Sequence, residues 1–252
     1  MGRAEATSIV VGIPATETRD AVTSQFKRKT RQILTAVPVV RGCVLWWRLL
    51  VKPIAVLKET ERVDNYLKEK GWPKSYYSGL ARDRLGRPIP WFTYPATDFL
   101  APRLRSGLHV FEYGCGYSTL WWVANGCRVT ACETSREWAN RIESEAGSSA
   151  KIVVRDPNTD GYVREVVSGD TSYDIVLVDG ERRVECLLLA PHALNRGGVI
   201  VLDNSDRTQY EAGVSYLTSL GFRRLDFVGL GPVNASGWTT SVFYRPENCL
   251  GI

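Results

Sequence analysis

From residue 107 onward, short apolar runs alternate with longer stretches in which apolar and charged positions recur at helical spacing. Ile175-Val176-Leu177-Val178 and Val199-Ile200-Val201-Leu202 contain no polar interruption, which suits strands of a parallel sheet covered on both faces. The pattern predicts strands at Leu108–Tyr113, Arg128–Cys132, Lys151–Arg155, Asp174–Val178 and Val199–Leu202. Helices are predicted at Thr119–Asn125, Ser135–Glu145 and Val184–Leu194, with a last one at Tyr210–Leu220 stopped by Gly221. Phe222–Val228 and Trp238–Tyr244 complete the sheet as a hairpin around the long loop Gly229–Gly237. The implied fold class is a doubly wound α/β domain preceded by an N-terminal extension.

That extension reads differently. Residues 1–35 carry Ile9-Val10-Val11 and the basic cluster Lys27-Arg28-Lys29 with Arg31, and are expected to pack loosely. Ala36–Leu57 is strongly apolar but interrupted by Arg41, Arg48 and Lys52, which makes a poor membrane span. Two readings stay open for it: a helix whose Trp46, Trp47, Leu49 and Leu50 pack on the catalytic domain or on a second subunit, or an interfacial helix lying on a membrane. Val56–Lys70 reads as a helix ended by Gly71 and Pro73. The Gly-, Pro- and aromatic-rich passage from Gly71 to Pro95 predicts ordered turns, and Ala96–Leu104 a short helix. We therefore divide the chain into a substrate-side cap at 1–106 and a cofactor-binding catalytic domain at 107–252.

The chain of 252 residues, 44% hydrophobic, is long enough for a substantial core. Its net charge of +5 is not gathered into a long basic tract, and the final strands lack an Asn/Asp-Pro-Pro-Tyr/Phe motif, so a nucleic acid acceptor is not expected. The six cysteines show no C-x-x-C spacing, and His109 and His192 have no ligand-spaced neighbour, so a structural zinc site is not expected. Thiols without a framework and no secretory signal point to the cytoplasm.

Candidate chemistry concentrates at the ends of the predicted strands. The first strand runs into Glu112-Tyr113-Gly114-Cys115-Gly116-Tyr117-Ser118-Thr119, a turn before a helix, and the second ends in Glu133. Gly114 and Gly116 allow a tight turn and close approach of a ligand to the backbone, and helix-start amides can meet ligand oxygens. Glu133 stands where a carboxylate accepts ribose hydroxyls, although it also suits a helix cap before Ser135. Asp156, after the third strand, either accepts from an adenine amine or serves the turn at Pro157. A dinucleotide fold would prefer a small residue where Thr119 stands.

Glu112-Tyr113-Gly114-Cys115-Gly116, Glu133 and Asp179 resemble the successive motifs of class I S-adenosylmethionine-dependent methyltransferases, over about Leu108 to Tyr244. Pro90–Tyr94, Gly116–Trp122 and Asn248–Ile252 are similar to a bacterial branch of that family. The resemblance implies a Rossmann-like, mostly parallel seven-stranded sheet with an antiparallel C-terminal hairpin. It also implies that Gly114 and Gly116 border the methionine part of the cofactor, that Glu112 orients its amino end and that Glu133 holds its ribose. Tyr117 is expected to contact the cofactor from above the turn.

Asp179 ends the fourth strand and Asp203-Asn204 the fifth, so adjacent parallel strands would bring two carboxylates and an amide oxygen together. Hard oxygen ligands suit Mg²⁺, and the arrangement is similar to that of divalent-cation-dependent O-methyltransferases. The general base is expected to be Asp179 or Asp206. Arg182 or Arg183 would orient an anionic acceptor. Trp91 and Tyr94 on one side, with Asn234 and Trp238 on the other, would wall a pocket for a small-molecule or saccharide acceptor. Methyl transfer to a hydroxyl is the leading reading. A nicotinamide-dependent oxidoreductase and a non-catalytic interaction or membrane-surface protein are the alternatives.

Overall fold

The uninterrupted apolar runs become the centre of a seven-stranded sheet in the computed structural model, which describes residues 66–169 and 171–252. The strands are β1 (His109–Tyr113), β2 (Arg128–Glu133), β3 (Ala150–Val154), β4 (Tyr173–Val178), β5 (Leu194–Leu202), β6 (Arg223–Gly229) and β7 (Trp238–Tyr244). Their order is β3-β2-β1-β4-β5-β7-β6. The first five are parallel and β7 runs antiparallel to both β5 and β6. The Rossmann-like mixed sheet with a closing antiparallel pair is the one expected.

Alternation along the central strands explains why no polar residue interrupts them. Ile175 and Leu177 of β4, with Val199 and Val201 of β5, enter one core layer with Trp122, Ile142 and Val242. Val176, Val178, Ile200 and Leu202 enter the opposite layer with Tyr162, Leu187, Leu217 and Phe243. Each such side chain contributes about 1.5–3 kcal/mol on burial, so the sheet tolerates polarity only at strand ends. The first layer also contains Ala81, Ile89, Phe92, Tyr94, Ala96 and Leu100. Residues on both sides of position 106 thus share one core.

The helices are α1 (Tyr66–Glu69), α2 (Trp72–Ser78), α3 (Tyr94–Leu100), α4 (Tyr117–Ala124), α5 (Arg136–Ala146), α6 (Asp160–Arg164), α7 (Arg183–Leu189) and α8 (Glu211–Ser219). Two departures from the sequence pattern have a common cause. Trp72–Ser78 is helical rather than a turn, and α3 starts two residues before Ala96, because Pro73 and Pro95 sit in the first turn, where a missing N–H costs nothing. α7 is shorter than expected: a 3₁₀ turn replaces it from Ala190, just ahead of Pro191, and β5 begins earlier, at Leu194. The short α6 was not foreseen. The expectations for residues 1–35 and 36–57, and for Val56–Lys70 before Tyr66, lie outside the described residues. No helix among the described residues is long and apolar enough to cross a membrane.

Candidate active site

Register sets the site. Cys132, Tyr113, Val178 and Leu202 stand level across β2, β1, β4 and β5. The next residues in each strand or turn are Glu133, Gly114, Asp179 and Asp203, so the four singled-out positions form one row along the C-terminal edge of the sheet.

On the β1–β2 side the glycine turn and the carboxylate are in direct contact. Glu133 Oε2 accepts from the Cys115 amide at 3.0 Å. Its Oε1 accepts from the Thr134 amide at 2.7 Å, the Thr134 hydroxyl at 3.2 Å and the Ser135 amide at 2.9 Å. A carboxylate offers about four lone-pair sites, two per oxygen, so Oε1 is saturated while Oε2 keeps one. Gly114 has φ 89°, a conformation that favours glycine, and a Cβ there would lie 3.5 Å from Gly180 Cα. The turn therefore also touches the end of β4. Gly116 is extended and needs no such freedom; a Cβ would approach Trp138 Nε1 only to 3.8 Å. The Trp138 indole donates to the Cys115 carbonyl at 2.7 Å, a covering of the turn that sequence reasoning missed.

Glu112 lies beneath this turn and is fully buried. It accepts from Thr119 Oγ1 at 2.5 Å and from Trp122 Nε1 at 2.9 Å, while Thr119 Oγ1 itself accepts from the Gly116 amide at 3.0 Å. Burial pushes the Glu112 carboxyl up to about 7 against the lowering effect of these donors. The chain of bonds explains Thr119: its hydroxyl ties the turn to the strand, where a dinucleotide fold would need a small side chain. Tyr117 does not reach over the turn; its ring lies under the Arg82 guanidinium, at 5.3 Å, and packs on the core with a buried hydroxyl.

The β4–β5–β7 side holds a cavity of about 300 Å³ lined by Trp91, Asp179, Asp203, Asn204, Arg207, Asn234 and Trp238. Six of these seven were singled out in the sequence; Arg207 was not, having only its place near Asp203-Asn204 to mark it. Asp203 Oδ1 accepts from Trp238 Nε1 at 2.9 Å and from Thr240 Oγ1 at 2.5 Å, so β7 fixes this carboxylate. Asn234 is anchored from outside, where its carbonyl accepts from Trp72 Nε1 at 3.0 Å. Gly231 lets the same loop lie on Trp238, since a Cβ there would collide with the indole. Burial pushes both the Asp179 and Asp203 carboxyls above the usual range. For Asp179 the nearby Asp203 charge adds to the rise and Arg183 opposes it.

Four residues, Arg183, Arg182, Asp206 and Tyr94, do not take the places expected of them. Arg183 does not face an acceptor. It sits behind Asp179 and Asn204, 2.9 Å from Asp179 Oδ1 and 3.2 Å from Asn204 Oδ1. Arg182, in a left-handed conformation with φ 47°, turns away to Glu185 at 3.1 Å and the Thr159 carbonyl at 3.1 Å. Asp206 is exposed and accepts from the Thr239 amide at 3.0 Å, outside the cavity lining. Tyr94 is 1% exposed in the core, and of the two aromatics expected on that side only Trp91, 47% exposed, lines the cavity. Asp156 is exposed and makes a turn, accepting from the Asn158 amide at 2.9 Å and side chain at 3.0 Å.

The metal expectation fails a test of the donor set. The Asn204 amide oxygen and one Asp179 oxygen already accept from a guanidinium, and one Asp203 oxygen from two β7 donors. Among the described residues no group of three or more His, Cys, Asp or Glu is placed to hold a metal ion. These residues do not fit Mg²⁺.

No protein-family model matches the chain, and no curated protein sequence does. Similar solved structures include a TehB-like S-adenosylmethionine-dependent methyltransferase from Corynebacterium glutamicum, 17% identical over 72% of this chain and 100% of its own, with a TM-score of 0.47. Precorrin-6y C5,15-methyltransferase from Geobacter metallireducens is 16% identical over 60% of this chain and 87% of its own, with a TM-score of 0.46. Fibrillarin from Aeropyrum pernix, solved with S-adenosyl-L-methionine bound, is 12% identical over 56% and 68%, with a TM-score of 0.44. Methyltransferases thus recur among the structures this chain is similar to, while its fold is carried by the strand order and register above.

Proposed function

We propose that the chain is an S-adenosylmethionine-dependent methyltransferase acting on a hydroxyl of a small molecule or saccharide. The observation that carries this reading is the row of strand ends, in which a glycine turn bonded to Glu133 stands next to a carboxylate-lined cavity. The residues suit the cofactor. Glu133 Oε2 keeps a lone pair for a ribose hydroxyl, and half-buried Gly114 presents no side chain to a ligand's methionine end. Glu112 serves from below, holding the turn in shape through Thr119 rather than touching the ligand. When bound, that cofactor supplies a methyl group on a sulfonium.

The chain's own residues supply position and a proton acceptor. Trp91 and Trp238 offer apolar faces with polar edges, and Asn234 and Arg207 offer donors, a set suited to a polyhydroxylated acceptor. Asp179 is the base: its raised proton affinity favours uptake of the hydroxyl proton as the acceptor oxygen attacks. Asp203, fixed by Trp238 and Thr240, holds the acceptor in line. A nicotinamide cofactor gains no support, because Thr119 fills the position its binding fold keeps small.

Calorimetric titration with S-adenosylmethionine and S-adenosylhomocysteine tests the reading. Micromolar binding is expected, weakened about 10- to 100-fold in Glu133→Ala, the scale of a lost hydrogen bond to a charged group. Absence of binding to the wild type, or equal binding by the variant, would count against it.

A further inference from the structure

We propose that Arg183 is a cation built in behind the acceptor pocket, bonded to oxygens of the three residues for which the sequence suggested a divalent ion, and that the site works without a metal. A guanidinium carries five N–H groups, and at Arg183 each has an oxygen partner. Nε donates to the Gly180 carbonyl at 2.9 Å. One terminal nitrogen donates to the Asp203 carbonyl at 2.7 Å and to Asn204 Oδ1 at 3.2 Å. The other donates to the Asp179 carbonyl at 3.0 Å and lies 2.9 Å from Asp179 Oδ1. Three backbone carbonyls, a carboxylate and an amide make an all-oxygen shell of the kind a hard cation takes. Its spacing, however, is that of hydrogen bonds to a planar fork, whereas Mg²⁺ demands oxygens at about 2.0–2.1 Å in octahedral array.

The sequence places this cation with little freedom. Arg183 is the first residue of α7, directly after the turn that follows β4, so its side chain is aimed back at the ends of β4 and β5. The Tyr210 ring lies 5.4 Å from the guanidinium carbon, and only 11% of the side chain is exposed. The charge is permanent, since arginine is not deprotonated in proteins. It repels a second cation from the same oxygens and offsets part of the negative charge of the two carboxylates. Asp179, held at Oδ1 by the guanidinium, keeps its other oxygen for a proton from an acceptor. That last consequence rests on the methyl-transfer reading; the replacement of a metal by the guanidinium does not.

The test is Mn²⁺ binding by electron paramagnetic resonance on the full chain, for the wild type, Arg183→Met and Arg183→Lys. Wild type and Arg183→Lys should bind no Mn²⁺ below millimolar concentration. Arg183→Met, which keeps the apolar stem against Tyr210 but frees the oxygens, should bind at least tenfold more tightly. Further replacement of Asp179 by Asn in the Met variant should abolish the gain. Should the Met variant not fold, Arg183→Gln takes its place, with far-ultraviolet circular dichroism as the check. Stoichiometric micromolar Mn²⁺ binding by the wild type overturns the proposal, as does a folded Met or Gln variant that binds no better than the wild type. A purely structural arginine gives that last result. Failure of the wild type to bind S-adenosylmethionine would sink the methyl-transfer reading alone and leave the metal result standing.

Discussion

The two halves of the strand-end row are built by different means. On the β1–β2 side the groups proposed for the cofactor are backbone amides and one carboxylate, joined over short distances in the chain: Glu133 and Cys115 are 18 residues apart. On the β4–β5–β7 side the groups proposed for the acceptor are side chains assembled from distant segments, with Asp203 held by Trp238 and Thr240 from 35 and 37 residues away. Backbone recognition constrains only a few residue types, so it suits a ligand that never changes. Side-chain recognition can be rewritten position by position, which suits an acceptor that differs between enzymes of one architecture.

Separate damage to each half is the way to break this comparison. The largest effect is expected for Asp179→Asn. It should lower methyl transfer about 10²- to 10⁴-fold, the usual contribution of a positioned base, while calorimetric affinity for S-adenosylhomocysteine changes less than threefold or so. Activity would be read as S-adenosylhomocysteine release over a panel of polyol and saccharide acceptors. An equal loss in both measurements would mean that the halves are not separable.

A smaller effect is expected beneath the cofactor turn. Glu112 has its carboxyl raised in the fold from 4.5 to about 7, so the native state binds the proton more tightly than the unfolded chain. Its contribution to stability is complete below about pH 4.5 and is lost as pH rises through about 7. Glu112→Gln, unable to ionise, should remove that decline, making the variant's urea midpoint less dependent on pH across this window. An unchanged slope between pH 5 and 8 would refute the assignment. The smallest effect belongs to Trp91→Ala at the pocket mouth. Being half exposed, it should alter stability by no more than about 0.5 kcal/mol while raising KM for the acceptor and leaving cofactor affinity unchanged.

The same contrast explains what was legible in the sequence. The sheet was, because Ile175–Val178 and Val199–Leu202 must be buried on both faces and only one architecture covers parallel strands that way. Glu133 beside the glycine turn followed from strand order alone. In the acceptor half residue identity was readable but orientation was not. Arg182 and Arg183 are neighbours in sequence, yet one turns to Glu185 and the other to Asp179, a choice made by the left-handed backbone at Arg182. Tyr94 and Trp91 share one aromatic passage, yet Tyr94, just after the N-cap at Thr93, is in the core while Trp91 is half exposed. The Mg²⁺ expectation failed for the same reason: ligand types can be counted along a chain, whereas an arginine already bonded to them is visible only in three dimensions.

The bond from Trp72 to the Asn234 carbonyl has a practical corollary. It fastens one rim of the acceptor cavity to a helix that precedes the whole sheet, so the cavity's outline is not a property of the sheet alone. A trimmed version starting at residue 107 would lose that tether together with the part of the core that Phe92, Tyr94 and Leu100 supply. Transplanting this specificity onto another scaffold would require carrying the early helices along with the final loop.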